Sequence, residues 1–201
     1  MKSILILCLF TIGINPVFAQ HQHDSIKSQY AGQEDQPIKS LTQDDIDGLK
    51  SGAGTPFNGM AKPAELNGYP GPRHVLDAYN SGEFDLSEDQ LKRVKILFEE
   101  MKQSVIPLGE NIIEKEQALD DAFADNKITS EQLKHLVNES ASLYAELRFV
   151  HLNTHLEMMD ILSSEQILKY NELRGYSSSN PCENIPKGHN TQMWKKHNGC
   201  N

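Results

Sequence analysis

Residues 86–101 read LSEDQLKRVKILFEEM, and this stretch decides the fold class. Ser87 is a favourable helix N-cap, and the two acidic residues after it suit the positive first turn of a helix. Behind them apolar side chains recur every three or four residues, which is the period of one helix face. The members of that face are Leu91, Val94, Leu97, Phe98 and Met101. The pattern predicts a long helix that begins at about residue 87.

The same opening occurs twice more, as ITSEQ at residues 128–132 and LSSEQ at residues 162–166. Apolar residues at helical spacing follow each copy, so each predicts a further helix. Pro107 lies within the first pattern, which continues beyond it, and we expect a kink there rather than an end. Two long helices bury their apolar faces most simply by packing antiparallel. We therefore predict an all-α fold, a long antiparallel helical hairpin kinked at Pro107, with extra short helices and an irregular N-terminal segment.

The N-terminus has the pattern of an export signal. Lys2 precedes an apolar run over residues 4–12 that is too short to span a bilayer comfortably, and small or branched residues lead to Ala19. We predict a cleaved signal peptide over residues 1–19 and a periplasmic location. The mature chain then divides into a polar, loop-rich segment over residues 20–67, a helical domain over residues 68–176 and a C-terminal tail over residues 177–201.

Composition excludes some classes of function. The chain is 38% hydrophobic and carries a formal net charge of -9. An acidic surface does not neutralise phosphates, so nucleic acid is not expected as a partner. The sequence has no glycine-rich phosphate loop, no GxSxG elbow and no HExxH motif. We predict that the protein is not an enzyme.

The tail carries the two cysteines of the predicted mature chain, Cys182 and Cys200. An oxidising compartment favours a disulfide between them. As thiolates they could instead bind zinc together with His189 and His197, although their spacing matches no known zinc finger. The disulfide is the preferred interpretation.

His151, His155 and Met159 are each one turn apart and form a stripe on one side of the predicted helix. Two imidazoles at this spacing can hold one transition-metal ion, with copper, nickel and zinc as candidates, and a thioether favours copper. Met158 could replace Met159 as the thioether ligand. The alternative is that all four side chains pack at the edge of the core, where methionine is common.

Other residues were considered as metal ligands. Glu110 and Glu114 on the preceding helix could complete the set, although solvated carboxylates are the commoner case for such positions. His21 and His23 lie just after the predicted signal peptide and could chelate copper or nickel if cleavage followed Gln20. Cleavage after Ala19 removes that arrangement, and a disordered polar end is the preferred interpretation.

The helix-start motifs, in this order, resemble those of the Spy/CpxP family of periplasmic helical proteins, whose hallmark is a repeated Leu-Thr-x-x-Gln. Two copies match with serine in place of threonine, and the resemblance covers residues 68–176. The matching residues are Leu86, Ser87 and Gln90 in the first copy and Leu162, Ser163 and Gln166 in the last.

Residues 151–159 also resemble the heavy-metal resistance and sensor proteins of the CnrX type. Those proteins take ligands from a His and a Met one turn apart on a late helix, and His155 and Met159 match that element. Their early pair of histidines is not reproduced, because His74 is followed one turn later by Ala78.

The resemblance implies one of two functions. The first is a periplasmic envelope-stress or metal-resistance protein that binds a transition metal in a sensing or buffering role. The alternative is an ATP-independent chaperone that prevents aggregation of unfolded periplasmic proteins. The partners implied are unfolded clients for the chaperone, a membrane-bound sensor or anti-sigma factor for the metal protein, and a second copy of the chain in a homodimer.

Overall fold

A computed structural model of the chain describes residues 27–54, 59–177, 182–183, 185, 190–197 and 199–200. The predicted signal peptide lies outside the described residues, and so do His21 and His23, which follow it in the sequence. The chain divides into two compact units, residues 1–34 and residues 35–201. The described part of the first unit, residues 27–34, consists of turns closed by short-range backbone hydrogen bonds.

The second unit is built from helices, and no strand occurs among the described residues, so the all-α prediction is confirmed. The hairpin consists of α4 (Glu88–Ala124) and α5 (Ser130–Met159), and α4 runs through Pro107 without ending. The other helices are α1 (Gln43–Ser51), α2 (Lys62–Glu65), α3 (Pro72–Asn80), α6 (Ser164–Leu173) and α7 (Thr191–His197). None of the helices in the described ranges is long and apolar enough to cross a membrane.

The three helix-start motifs form capping boxes. Ser87 caps α4 and its side chain accepts a hydrogen bond from the backbone N–H of Gln90, whose side chain in turn accepts from the backbone N–H of Ser87. The same reciprocal pair starts α5 at Thr129 and α6 at Ser163. Each box satisfies two backbone donors that a helix start otherwise leaves without partners. The local sequence therefore determines where these three helices begin.

The first and last motif copies also bind each other. The side-chain amide of Gln90 donates to Oε1 of Gln166 at 2.8 Å, and the amide of Gln166 donates back to Oε1 of Gln90 at 3.0 Å. The same two amides donate to the carbonyl oxygens of Ile161 and Asp85, each at 2.9 Å. The motif glutamines thus join the start of α4 to the start of α6, a tertiary role that a helix-start motif does not by itself predict.

Residues before the predicted helical domain contribute to the core of the hairpin. Ile38, Leu41, Leu49 and Met60 are buried against α4 and α5, in a cluster that includes Ile112 of α4 and Leu147 of α5. The compact unit accordingly begins at Asp35, within the segment that the sequence analysis set apart as polar and loop-rich.

A buried carboxylate fixes the same segment to the hairpin. Glu116 of α4 accepts hydrogen bonds from the hydroxyls of Ser40 at 2.7 Å and of Ser140 on α5 at 2.5 Å. Lys39 forms an ion pair with Asp120 one turn further along α4, at 3.0 Å. A buried charge is tolerated when it is hydrogen-bonded, so these contacts define where the segment lies on α4.

The tail is closed by the predicted disulfide between Cys182 and Cys200, which are separated by 18 residues in sequence. Short α7 lies within the loop that this bridge closes. Both thiols are consumed by the bond, so the alternative of a zinc site built on two thiolates does not apply to this state of the chain.

Candidate functional site

Two histidines of α5 face the interior of the domain. His151 and His155 are one turn apart on the side of the helix that packs inward, and they are 5% and 7% exposed. Imidazoles buried to this extent are uncommon and need a reason. They are the first two members of the stripe that the sequence predicts.

His155 is held in one orientation by a backbone carbonyl. Its Nδ1 lies 2.7 Å from the carbonyl oxygen of Tyr69, in the loop before α3. A carbonyl oxygen only accepts, so Nδ1 is the donor in this contact, and in the neutral tautomer with this hydrogen bond Nε2 carries the lone pair. This is the arrangement in which a histidine presents Nε2 to a metal ion while a backbone oxygen fixes the ring from behind.

Gly71 makes room for the His155 ring. A Cβ atom at position 71 would lie 2.8 Å from Cε1 and 3.2 Å from Nε2 of His155. Side chains do not approach a ring this closely, so only glycine allows the ring to lie where it does. Gly71 is also the N-cap of α3, which brings the start of that helix beside the imidazole.

His151 has a buried nitrogen without a partner. Its Nε2 is buried and forms no hydrogen bond with any of the residues that the structure describes. Burial, and next the proximity of His155, lowers the pKa of His151 to about 4, so the ring is neutral at pH 7. An unpaired polar atom in the interior costs about 1–3 kcal/mol. A buried polar group of this kind can be completed by an ordered water or by a bound ion.

Both histidines line one cavity of about 620 Å³. Its other walls include residues 51–54 at the end of α1 and just after it, α2, the start of α3, and Phe98 and Met101 of α4. His74 of α3 also lines it, and the pKa of His74 is lowered chiefly by partial burial and then by Arg174. The cavity lies within the size range of ordinary small-ligand sites.

One carboxylate reaches the cavity and is heavily hydrogen-bonded. Oε1 of Glu65 accepts from the hydroxyl of Tyr170 at 2.6 Å, from Nε of Arg174 at 2.9 Å and from the hydroxyl of Tyr176 at 3.2 Å. The Tyr170 hydroxyl also accepts from the backbone N–H of Gly71 at 3.5 Å. The network joins α2, α6 and the start of α3 around one side of the cavity.

The structure does not bring all the predicted ligands together. Met159 is half-buried and does not line the cavity, and Met158 is fully buried in the core cluster formed with α3, α4 and α6. Glu110 and Glu114 are exposed on α4 and do not line it either. Within the described part of the chain, no group of three or more His, Cys, Asp or Glu side chains is close enough to hold a metal ion. Of the predicted metal ligands, the structure therefore places His151 and His155 at the cavity and the others elsewhere.

Most residues that line the cavity were not identified as site residues from the sequence, and three of them have side chains that could act as ligands. Met101 belongs to the apolar face of α4 and has the spacing of core residues. His74 and Glu65 come from segments far from α5 in sequence, and no local pattern connects them to it. The sequence did offer one indication for His74, since it is a histidine within residues 68–176, the range of the family resemblance.

Comparison with known proteins adds no relative. No family model matches the chain, and no match is found among curated proteins or among solved structures. The Spy/CpxP and CnrX-type resemblance thus remains a prediction from the motifs, and the functional argument rests on the site itself.

Proposed function

We propose that this protein is an exported, non-catalytic protein that binds one transition-metal ion between His151 and His155 and serves metal sensing or buffering in the bacterial envelope. The observation that carries the proposal is the hydrogen bond from Nδ1 of His155 to the Tyr69 carbonyl. In the neutral tautomer it leaves a lone pair on Nε2 of His155, which lines the cavity one helical turn from His151, whose Nε2 has no hydrogen-bond partner among the described residues. The Spy/CpxP and heavy-metal resistance resemblance supports the same class.

The chemistry of the pair suits copper, nickel or zinc. Neutral imidazole is a ligand common to all three ions, and two histidines four residues apart on a helix can hold one of them. Met101 is the methionine that lines the cavity, and a thioether favours copper. The cavity volume of about 620 Å³ leaves space for further ligands. A bound ion would also give the buried Nε2 of His151 the partner it lacks.

Calorimetric titration of the purified, chelator-stripped protein with Cu²⁺, Ni²⁺ and Zn²⁺ tests the proposal. We expect one ion per chain with micromolar or tighter affinity, about 8 kcal/mol or more. His155→Ala should abolish it. His135→Ala is the matched control, because His135 is an exposed histidine of the same helix and does not line the cavity.

The titration has two outcomes that contradict the proposal. Tight binding that survives His155→Ala would move the site elsewhere, to the N-terminus or the tail. No binding of any of the three ions to the protein alone would contradict a histidine site that holds the free ion.

The chaperone alternative is favoured by a different observation. Phe149 and Leu156 of α5 are 65% and 55% exposed, and their seven-residue separation places them on one face of the helix. His151 and His155 on the same helix are buried, so α5 presents apolar surface on a second side. An exposed apolar face can hold unfolded clients.

The chaperone function would show as suppressed aggregation of a heat-denatured client at less than one protein per client, without ATP. We expect the double variant Phe149→Ser, Leu156→Ser to lose that suppression while it keeps metal binding. Equal suppression by both forms would mean that this face does not hold the client.

A further inference from the structure

The cavity is positively charged, although the protein as a whole is acidic. The described residues that line it include four permanent cations, namely Lys62, Arg73, Lys102 and Arg174, and one carboxylate, Glu65. The chain has a formal net charge of -9. A local excess of cations in a cleft attracts anions and repels free metal cations.

Nearby acids compensate only part of this charge. Arg174 is paired with Glu65 at 2.9 Å, with the carboxylate largely buried. Arg73 approaches Asp77 at 3.9 Å, but both side chains are about two-thirds exposed, so that ion pair is weak. Lys102 lies over the Phe98 ring, with its nearest carboxylate 4.0 Å away on the same helix. Two to three positive charges therefore remain to meet a ligand.

The histidine pair alone is an incomplete coordination shell. Zinc in proteins takes about four ligands, and the pair supplies two. Among the described side chains no third His, Cys, Asp or Glu joins them at metal-binding distance. The cavity of about 620 Å³ is also far larger than an ion with a few waters requires, since one water occupies about 30 Å³.

We propose that the cavity binds the metal ion together with a small multidentate organic carboxylate, and that the ion is held as a ternary complex. Carboxylate oxygens would complete the coordination that His151 and His155 begin. The remaining negative charge would meet Arg73 and Lys102, and the carbon skeleton would lie against Phe98. This inference rests on the proposed function, because it names the form in which the same site takes its metal.

The charge balance supports a chelate rather than the free ion. A divalent metal bound by a tricarboxylate carries a net charge of −1, which the cationic lining attracts, whereas the free ion carries +2 and has to bind the histidines against that charge. An organic anion is favoured over inorganic phosphate because the lining also includes the apolar side chains of Phe98 and Met101. Ligand sites of this size combine an apolar wall with a few placed polar groups.

Equilibrium dialysis with radiolabelled citrate, with and without Zn²⁺, tests the inference on the full protein. We expect one citrate per chain to be retained when zinc is present and none without it. His155→Ala should abolish retention. The double variant Arg73→Gln, Lys102→Gln should weaken it about tenfold or more.

The matched control is the double variant Lys134→Gln, Arg148→Gln, which removes the same charge from exposed positions of α5 that do not line the cavity. It should retain citrate like the unmodified protein. Circular dichroism and thermal unfolding establish that each variant is folded before retention is compared.

Calorimetry separates the failure of this inference from the failure of the proposed function. Citrate is itself a chelator, so without a ternary complex it either strips zinc from the protein or leaves the protein–zinc complex without citrate, and both results differ from citrate retention. If citrate strips the zinc, while zinc binds through His155 when citrate is absent, the inference is overturned and the proposed metal site is still supported. Citrate retention that needs neither zinc nor His155 also overturns the inference. No zinc binding in either condition overturns both.

Discussion

The low pKa of His151 makes the stability of this protein depend on pH in a predictable direction. Burial lowers the pKa of His151 from 6.5 to about 4 in the folded chain. Between those values the unfolded chain binds a proton at this position that the folded chain does not. Stability from this residue is therefore fully present above about pH 6.5 and is lost as the pH falls towards 4.

The size of the effect follows from the shift. Each unit of pKa difference corresponds to about 1.4 kcal/mol. Relative to pH 7, the loss should reach about 2 kcal/mol at pH 5 and about 3 kcal/mol at pH 4. Urea unfolding at a series of pH values, with chelator present to remove metal, measures it directly. The variant His151→Leu should lose this part of the acid dependence, because it has no group to protonate.

His135→Leu controls for the loss of a histidine from α5, since the His135 side chain lies in solvent. It should keep the acid dependence of the unmodified protein. If His151→Leu also keeps it, His151 does not remain buried and neutral in the folded state, and the account of its orphaned nitrogen is wrong. At neutral pH His151→Leu should be no less stable, because the substitution removes a buried polar atom that has no partner.

Three further outcomes follow from contacts in the structure. Gly71→Ala should displace the His155 ring and weaken metal binding about tenfold or more in calorimetry, with the fold retained; unchanged affinity would mean that the ring does not need its present position. Gln166→Ala removes both the capping box of α6 and the amide–amide pair, and it should lower the free energy of unfolding, measured in urea, by about 2 kcal/mol. Gln132→Ala removes only the capping box of α5 and should lower it by about 1 kcal/mol. Equal losses in the two variants would contradict a stabilising role for the amide–amide pair. Gly109→Ala should lower the unfolding midpoint by several degrees, because its Cβ would overlap a backbone carbonyl oxygen of α1; an unchanged midpoint would show that α1 does not pack this closely on α4.

The sequence identified the helices where its signals are local. A hydroxyl cap followed three residues later by glutamine predicts a helix start from its own atoms, and Ser87, Thr129 and Ser163 each form the expected box. The 3.6-residue period predicts which face is buried, and the hairpin of two long helices follows from it. The disulfide between Cys182 and Cys200 was predicted from the two tail cysteines together with the prediction of export to an oxidising compartment.

The site was predictable only in part. Spacing along α5 placed His151 and His155 on one face, and both do line the cavity. It also placed Met159 in the same stripe, but Met159 does not line the cavity, and the methionine that does is Met101 of the neighbouring helix. Helical periodicity determines the direction in which a side chain points, and it carries no information about what lies opposite.

The sequence by itself determined that this chain is all-helical, where its main helices begin, and which two cysteines join. The tertiary structure alone decided that Glu65, Gly71 and Arg174 meet the α5 histidines around one cationic cavity. The physical reason is the distance along the sequence over which each kind of interaction acts. Capping and periodicity act between residues three or four apart, whereas the cavity depends on how elements about 80–110 residues apart pack together, as in the contact of Tyr69 with His155 and that of Glu65 with Arg174.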